Sequence, residues 1–170
     1  VGVVMQQWQQ QVLDKSTELS EFEGVVLQDG SSFAVHDALK DEFKGRFTKI
    51  SPAAVEVHVS WDVLQNYPEQ VTITPDSEAE THHLPSPESL QYKLLLADRG
   101  YFKLQYIDDV RTAGGHSLIR AKAAANPRVI KGYNRKGQVL ERFANGNFKA
   151  LKKYIRHSEV VDLEVFGKFP

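Results

Sequence analysis

Between residues 54 and 64 the chain alternates apolar and polar side chains with period two. Val55, Val57, Val59, Trp61 and Val63 interleave with Glu56, His58, Ser60 and Asp62. That rhythm predicts a β-strand. Tyr67-Pro68-Glu69 reads as a turn and residues 70–75 alternate again, so the two segments form an antiparallel hairpin. Compact apolar runs at 25–27 and 94–97 predict two further strands, the first closed by Asp29-Gly30 and the second by Asp98. Helical spacing marks residues 3–19 (Val4, Met5, Trp8, Val12, Leu19) and 31–43, where Phe33, Val35, Leu39 and Phe43 are apolar and Ser32 stands as a cap. Residues 76–87 are polar and proline-rich, a loop, and 88–93 make a short helical turn. A helix over 101–112 stops at Gly114-Gly115, and 117–121 reads as a strand.

The order strand, helix, hairpin, short helix, strand, helix, strand predicts an α/β fold with a mixed sheet over residues 1–122. Beyond Lys122 the texture changes. Residues 127–133 and 137–143 read as short basic strands separated by Gly and Asn turns, so 123–170 is expected to be a β-rich basic appendage. A boundary falls near 123–126.

Composition adds a division of charge to this picture. The 170 residues carry a formal net charge of −1. Residues 1–98 hold six Lys and Arg against sixteen Asp and Glu, a balance of −10, whereas 99–170 hold fifteen against six, a balance of +9. Clustered basic residues point to nucleic acid, because they release counterions from phosphates; mixing of both halves on one folded surface accounts for the same numbers. The absence of cysteine excludes a disulfide scaffold, a thiol nucleophile and Cys-ligated zinc or iron–sulfur centres, and accords with a reducing compartment. No run approaches the roughly 20 apolar residues of a membrane span, so the chain reads as soluble. It opens Val-Gly-Val-Val-Met with no signal-peptide pattern, as a processed piece or an excised segment would.

Two acids stand out by position. Asp29 and Asp98 each end an apolar strand, where open sheets place their ligands. On neighbouring strands their carboxylates would share one cleft, and paired hard oxygen ligands select Mg²⁺ or Mn²⁺. The plainer reading makes each a turn or cap residue, Asp29-Gly30 being a common turn pair. A phosphatase or nuclease of different fold using Asp29 is a third reading, although Ser31 occupies the place where a phosphotransferase with an Asp nucleophile usually has a second acid. His82-His83 reads as a solvated loop pair, and His36-Asp37 lies in a predicted helix with no nucleophile near in sequence. Lys149, Lys152, Lys153 and Arg156 share a helical face, solvated or phosphate-binding. Arg120, Lys122, Arg128, Lys131, Arg135 and Lys136, with Tyr133 among them, suit a DNA-contacting surface better.

At Leu95-Leu96-Ala97-Asp98-Arg99-Gly100-Tyr101-Phe102 the chain resembles bacterial transposases of the DDE type, in the insertion-sequence-four group. Residues 26–37, the Gly45-Arg46-Phe47 segment and 53–58 carry the same resemblance, which runs from about Val25 to Ala121. It implies a ribonuclease H-like core with a β-rich insertion. It also implies Asp29 and Asp98 as the first two metal-binding acids of a cut-and-paste enzyme that uses two Mg²⁺ or Mn²⁺ ions. Double-stranded DNA (transposon inverted-repeat ends and target), a homodimeric DNA complex and a cytoplasmic, nucleoid-associated location follow from the same resemblance. Arg99 and the basic residues after Gly115 become candidate phosphate contacts. The family's third acid is a Glu in a Tyr-Arg-Glu-Lys signature, with Arg three and Glu seven residues after the Tyr. Tyr133 is followed at those places by Lys136 and Leu140, and Tyr154 by His157 and Val161. Glu141, Glu159 and Glu164 therefore fit poorly, and the third acid is expected beyond Pro170, leaving this stretch inactive by itself. A DNA-binding module that grips without cutting is the alternative.

Overall fold

The computed structural model describes residues 19–156 and 159–166. The helix predicted over 3–19 lies, but for its last residue, outside them. The chain divides into two compact units, Val1–Arg120 and Ala121–Pro170.

The first unit is mixed α/β. Its five-stranded sheet has the order β3-β2-β1-β4-β5: β1 (Gly24–Ala34), β2 (Ala54–Asp62), β3 (Tyr67–Pro75), β4 (Lys93–Ala97) and β5 (His116–Ile119). β1 pairs antiparallel with β2 and parallel with β4, and β5 continues the parallel half. One α-helix, α1 (Leu104–Thr112), crosses from β4 to β5. Its buried residues, Tyr106 and Val110, meet Val26, Leu90 and Leu95 in an apolar cluster completed by Leu84 and Ile119. The Tyr106 hydroxyl donates to the Pro85 carbonyl at 2.8 Å.

Two sequence expectations need correction here. Residues 31–43 are not a helix: β1 runs on to Ala34, and only a 3₁₀ turn at Asp37–Leu39 follows, with His36 Nδ1 accepting the Ala38 N–H. Ser31, Ser32 and Phe33 pair with Val57, Glu56 and Val55, and that ladder overrides their turn-like local chemistry. Residues 67–69 are not the hairpin turn. They open β3, and the turn lies at 63–66, where the Asp62 carboxylate accepts the amides of Leu64 and Gln65. The hairpin itself forms, with its faces the reverse of the usual order. In β2 the buried positions are Glu56, His58, Ser60 and Asp62, while Val55, Val57, Val59 and Trp61 are half-buried on the other face. Leu27, Phe33, Val71, Ile73 and Leu118 are exposed there too, so the sheet carries apolar surface on its outer side as well as over the core.

The second unit holds a three-stranded sheet of order β7-β6-β8: β6 (Arg128–Tyr133), β7 (Gly146–Asn147) and β8 (Asp162–Phe166). Val129, Phe143 and Leu151 form its core. The strand predicted at 137–143 is absent; Val139 makes a single bridge to Tyr133, and Glu141–Phe143 is a 3₁₀ turn that lodges Phe143 against Gly132. The basic stretch after Asn147 is one helical turn, Phe148–Leu151, followed by a 3₁₀ turn at Lys152–Tyr154.

Candidate functional site

Asp29 does not end its strand, as the sequence implied. It stands midway along β1, which continues five residues further in its pairing with β2. What ends at Asp29 is the parallel pairing. The last paired rung joins Gln28 to Ala97, and Ala97 to Ile119. The next positions on the three strands are Asp29, Asp98 and Arg120. Side chains alternate along a strand, so these three follow, two residues on, from Leu27, Leu96 and Leu118, which share a rung on the outer apolar face.

The two carboxylates are exposed, and each is steadied by a local backbone amide. Asp29 Oδ1 accepts the Gly30 N–H at 2.9 Å, and Asp98 Oδ1 accepts the Gly100 N–H at 2.7 Å. Neither has an ion-pair partner among the described residues. The Arg120 N–H donates to the Ala97 carbonyl at 3.4 Å, which fixes that residue beside Asp98. Arg99 is exposed on the turn that follows Asp98. Two acids and two guanidinium-bearing residues thus converge on one edge of the parallel strands.

The opposite, buried face beside Asp29 holds a polar network that the sequence reading did not assemble. The Arg46 guanidinium lies 3.2 Å from Glu56 and 3.7 Å from Glu80, and the Arg46 amide donates to Asp76 Oδ2 at 2.9 Å. Ser32 Oγ donates to Asp76 Oδ1 at 2.5 Å. Burial raises the Glu56 carboxyl above its ordinary value, against the pull of Arg46 and with reinforcement from Glu80, Asp76 and Asp29. Burial pushes Asp76 the same way, but Ser32, the Arg46 amide and the Arg46 charge outweigh it and hold its carboxyl below the ordinary value. His58 is kept low, chiefly by burial and then by His83. The His83 ring stacks on His58 at 4.1 Å and 23°, so of the pair His82-His83 only His82 is solvent-exposed as composition implied. The signal available in the sequence was the row Glu56, His58, Ser60, Asp62, polar at every second position.

The remaining basic candidates, Lys122, Arg128, Lys131, Arg135 and Lys136, belong to the second unit and are exposed. A bulge between Val129 and Lys131 lets Val129 and Gly132 both face the core, which sends Arg128, Lys131 and Tyr133 outward. Glu164 stands opposite Lys131 and accepts the Tyr133 hydroxyl at 2.9 Å. Arg135 and Lys136 occupy a turn tip held by Asn134 Oδ1, which accepts the amides of Lys136 and Gln138 at 2.9 and 3.0 Å. The late acids are engaged elsewhere: Glu159 with Arg142 and the Arg156 amide, Glu164 with Tyr133.

Comparison with known proteins adds the following. A family model described as "Transposase DDE domain" matches residues 20–164. The chain is 24% identical over 137 residues to the transposase for insertion sequence element IS1151 of Clostridium perfringens. That match covers 79% of this chain and 28% of the relative's length.

Proposed function

The chain belongs to the transposase DDE-domain family, and on that premise we propose that Asp29 and Asp98 are two of the metal-binding acids of a DNA-cutting and strand-transferring enzyme. The observation that carries this reading is the shared position of both exposed carboxylates, one step past the last parallel rung. Parallel β1, β4 and β5 beside an antiparallel hairpin support a ribonuclease H-like core of the insertion-sequence-four group.

Two exposed carboxylates on adjacent strands suit a hard divalent ion. Asp29 and Asp98 would hold Mg²⁺ or Mn²⁺, two ions in the intact enzyme. Such ions, when bound, supply Lewis acidity and an activated oxygen for phosphodiester chemistry. The chain's own residues position and neutralise. Asp29 is carried on a continuous ladder and Asp98 on a turn tied by Gly100. Arg120 and Arg99 offer planar guanidinium groups to a phosphate that approaches the acids. In the proposed reaction water attacks phosphorus at a transposon inverted-repeat end and the bond to the 3′ oxygen breaks; the freed 3′-hydroxyl later attacks a target phosphorus, gives up its proton and displaces the target strand's own 3′ oxygen, which leaves as a hydroxyl. The proposed DNA complex is a homodimer in the bacterial cytoplasm, at the nucleoid. Among the described residues no three His, Asp or Glu side chains gather as a metal site. Among the same residues no helix is long and apolar enough to cross a membrane.

In a full-length protein carrying this domain, Asp29→Asn and Asp98→Asn should each abolish Mg²⁺-dependent nicking of a duplex that contains an element end. Nicking unchanged by both substitutions would overturn the proposal.

A second reading, DNA binding without cleavage, draws on the charge of the second unit. Residues 121–170 carry eleven Lys and Arg against four Asp and Glu, a balance of +7. Salt-dependent binding indifferent to Mg²⁺ and to both aspartates would favour it.

A further inference from the structure

Beside the acid pair lies a buried hydroxyl–imidazole contact to which the reading above, on which this inference rests, assigns no part. Tyr101, three residues past Asp98, is 1% exposed. Its hydroxyl meets His58 Nδ1 at 3.2 Å, and His58 Nε2 meets Thr74 Oγ1 at 3.1 Å. The Thr74 hydroxyl donates to the Pro75 carbonyl at 3.4 Å, so it accepts from Nε2–H, and Nδ1 is left to accept from Tyr101. A single neutral tautomer satisfies all three groups. Burial, which holds His58 below its ordinary value, favours that neutral form, and the stacked His83 ring fixes its plane.

This contact reaches from the Asp98 turn to β2, passing over β1. His58 is the cross-strand partner of Gly30, the residue after Asp29. A Cβ on Gly30 would stand 3.0 Å from the Tyr101 hydroxyl and 3.3 Å from His58 Nδ1, so the hydroxyl rests directly on the β1 backbone beside the first acid. The same turn is held at its second residue. Gly100 bonds the Asp98 carboxylate and lies so close to the Glu80 carboxylate that no Cβ would fit. Glu80 is in turn paired with Arg46. A phenylalanine ring would fill the same space, but it would leave the buried His58 Nδ1 without its donor. What the hydroxyl and imidazole add is direction.

We propose that Tyr101 and His58 are positioning residues: their hydrogen bond fastens the Asp98 turn to β2 across Gly30, the β1 partner of His58, and so keeps the Asp98 carboxylate level with Asp29 for a shared divalent cation.

The test uses the 170-residue chain, with amide hydrogen exchange and Mn²⁺ alone as probes, both read by NMR. Tyr101→Phe, and His58→Gln as a second variant in case the first fails to fold, should speed exchange of the Gly100 amide about tenfold. Amides of α1 should keep their protection. Outer contacts of this kind are worth about ten- to a hundredfold in metal affinity, so the Mn²⁺ concentration needed to broaden the Gly30 and Gly100 signals should rise about tenfold in each variant. The double variant should be no worse than either single one. Unchanged Gly100 exchange and unchanged Mn²⁺ response in Tyr101→Phe, with the response lost in Asp29→Asn and Asp98→Asn, would overturn this inference and leave the acid pair standing. A Mn²⁺ response that is absent from the native chain, or that survives both aspartate substitutions, would overturn the acid pair and this inference with it.

Discussion

The Arg46 guanidinium stands 3.2 Å from the Glu56 carboxylate, on a face of the sheet where Glu56 is 3% exposed. Arg46 also faces Asp76 and Glu80, so a single cation offsets three acids. Removing one partner of a buried ion pair leaves an uncompensated charge, at a cost of about 3–5 kcal/mol. Because the guanidinium is partly open to water, Arg46→Met is expected to destabilise the first unit by about 2–3 kcal/mol. Urea unfolding checks this, and Glu56→Gln in the same chain should recover part of the loss.

His58 makes stability depend on pH. Its native value is lowered, mainly by burial, so the unfolded chain binds this proton more readily. The corresponding stability is fully present above the ordinary value near 6.5 and is lost as pH falls through the lowered native value. Glu56, raised chiefly by burial, acts in the opposite sense: its contribution is present below about 4.5 and fades as pH rises through its native value. Unfolding midpoints are therefore expected to fall between pH 7.5 and 5.5 in the native chain. In His58→Gln that slope should flatten.

A side chain at Gly30 would be crowded by three buried polar groups. A Cβ would lie 2.7 Å from Glu56 Oε1, apart from the Tyr101 hydroxyl above it. Overpacking of this kind costs about 1–3 kcal/mol, and Gly30→Ala should show that loss in thermal unfolding. Leu95→Ala, by contrast, opens a cavity among Val26, Leu90 and Val110 and should cost about 2–5 kcal/mol.

Arg135 and Lys136, exposed at a turn tip of the second unit, should contribute to DNA affinity without sequence preference. Each phosphate contact removed lowers the slope of log affinity against log salt by about 0.9. The double alanine variant, titrated by fluorescence anisotropy, should lose up to about 2 in that slope. An unchanged slope would remove both residues from the DNA surface.

Much of the sheet was legible because β2, β4 and β5 are written in period-two or compact apolar patterns. The continuation of β1 was not. Gly30-Ser31-Ser32 has turn chemistry, and only pairing with residues some 25 positions away holds it extended. Asp29 and Asp98 could be picked out from their places at the ends of apolar runs. Arg120 joins them solely through the register of β4 with β5, which no local pattern encodes. The network of Arg46, Glu56, His58, Asp76 and Tyr101 was hidden for the same reason. Alternation reveals that a strand has two faces, and the assumption that the apolar one turns inward fails here.

That reversal bears on how the chain behaves in solution. Leu27, Phe33, Val71, Ile73 and Leu118 spread apolar surface across a sheet whose edge strands are β3 and β5. Molecules bearing such a surface attract one another, and the attraction grows with kosmotropic salt. Colloidal behaviour, rather than folding, then sets the concentration the isolated chain tolerates, and Leu118→Lys or Ile73→Lys, each changing an outward side chain, should raise that ceiling while leaving the interior untouched.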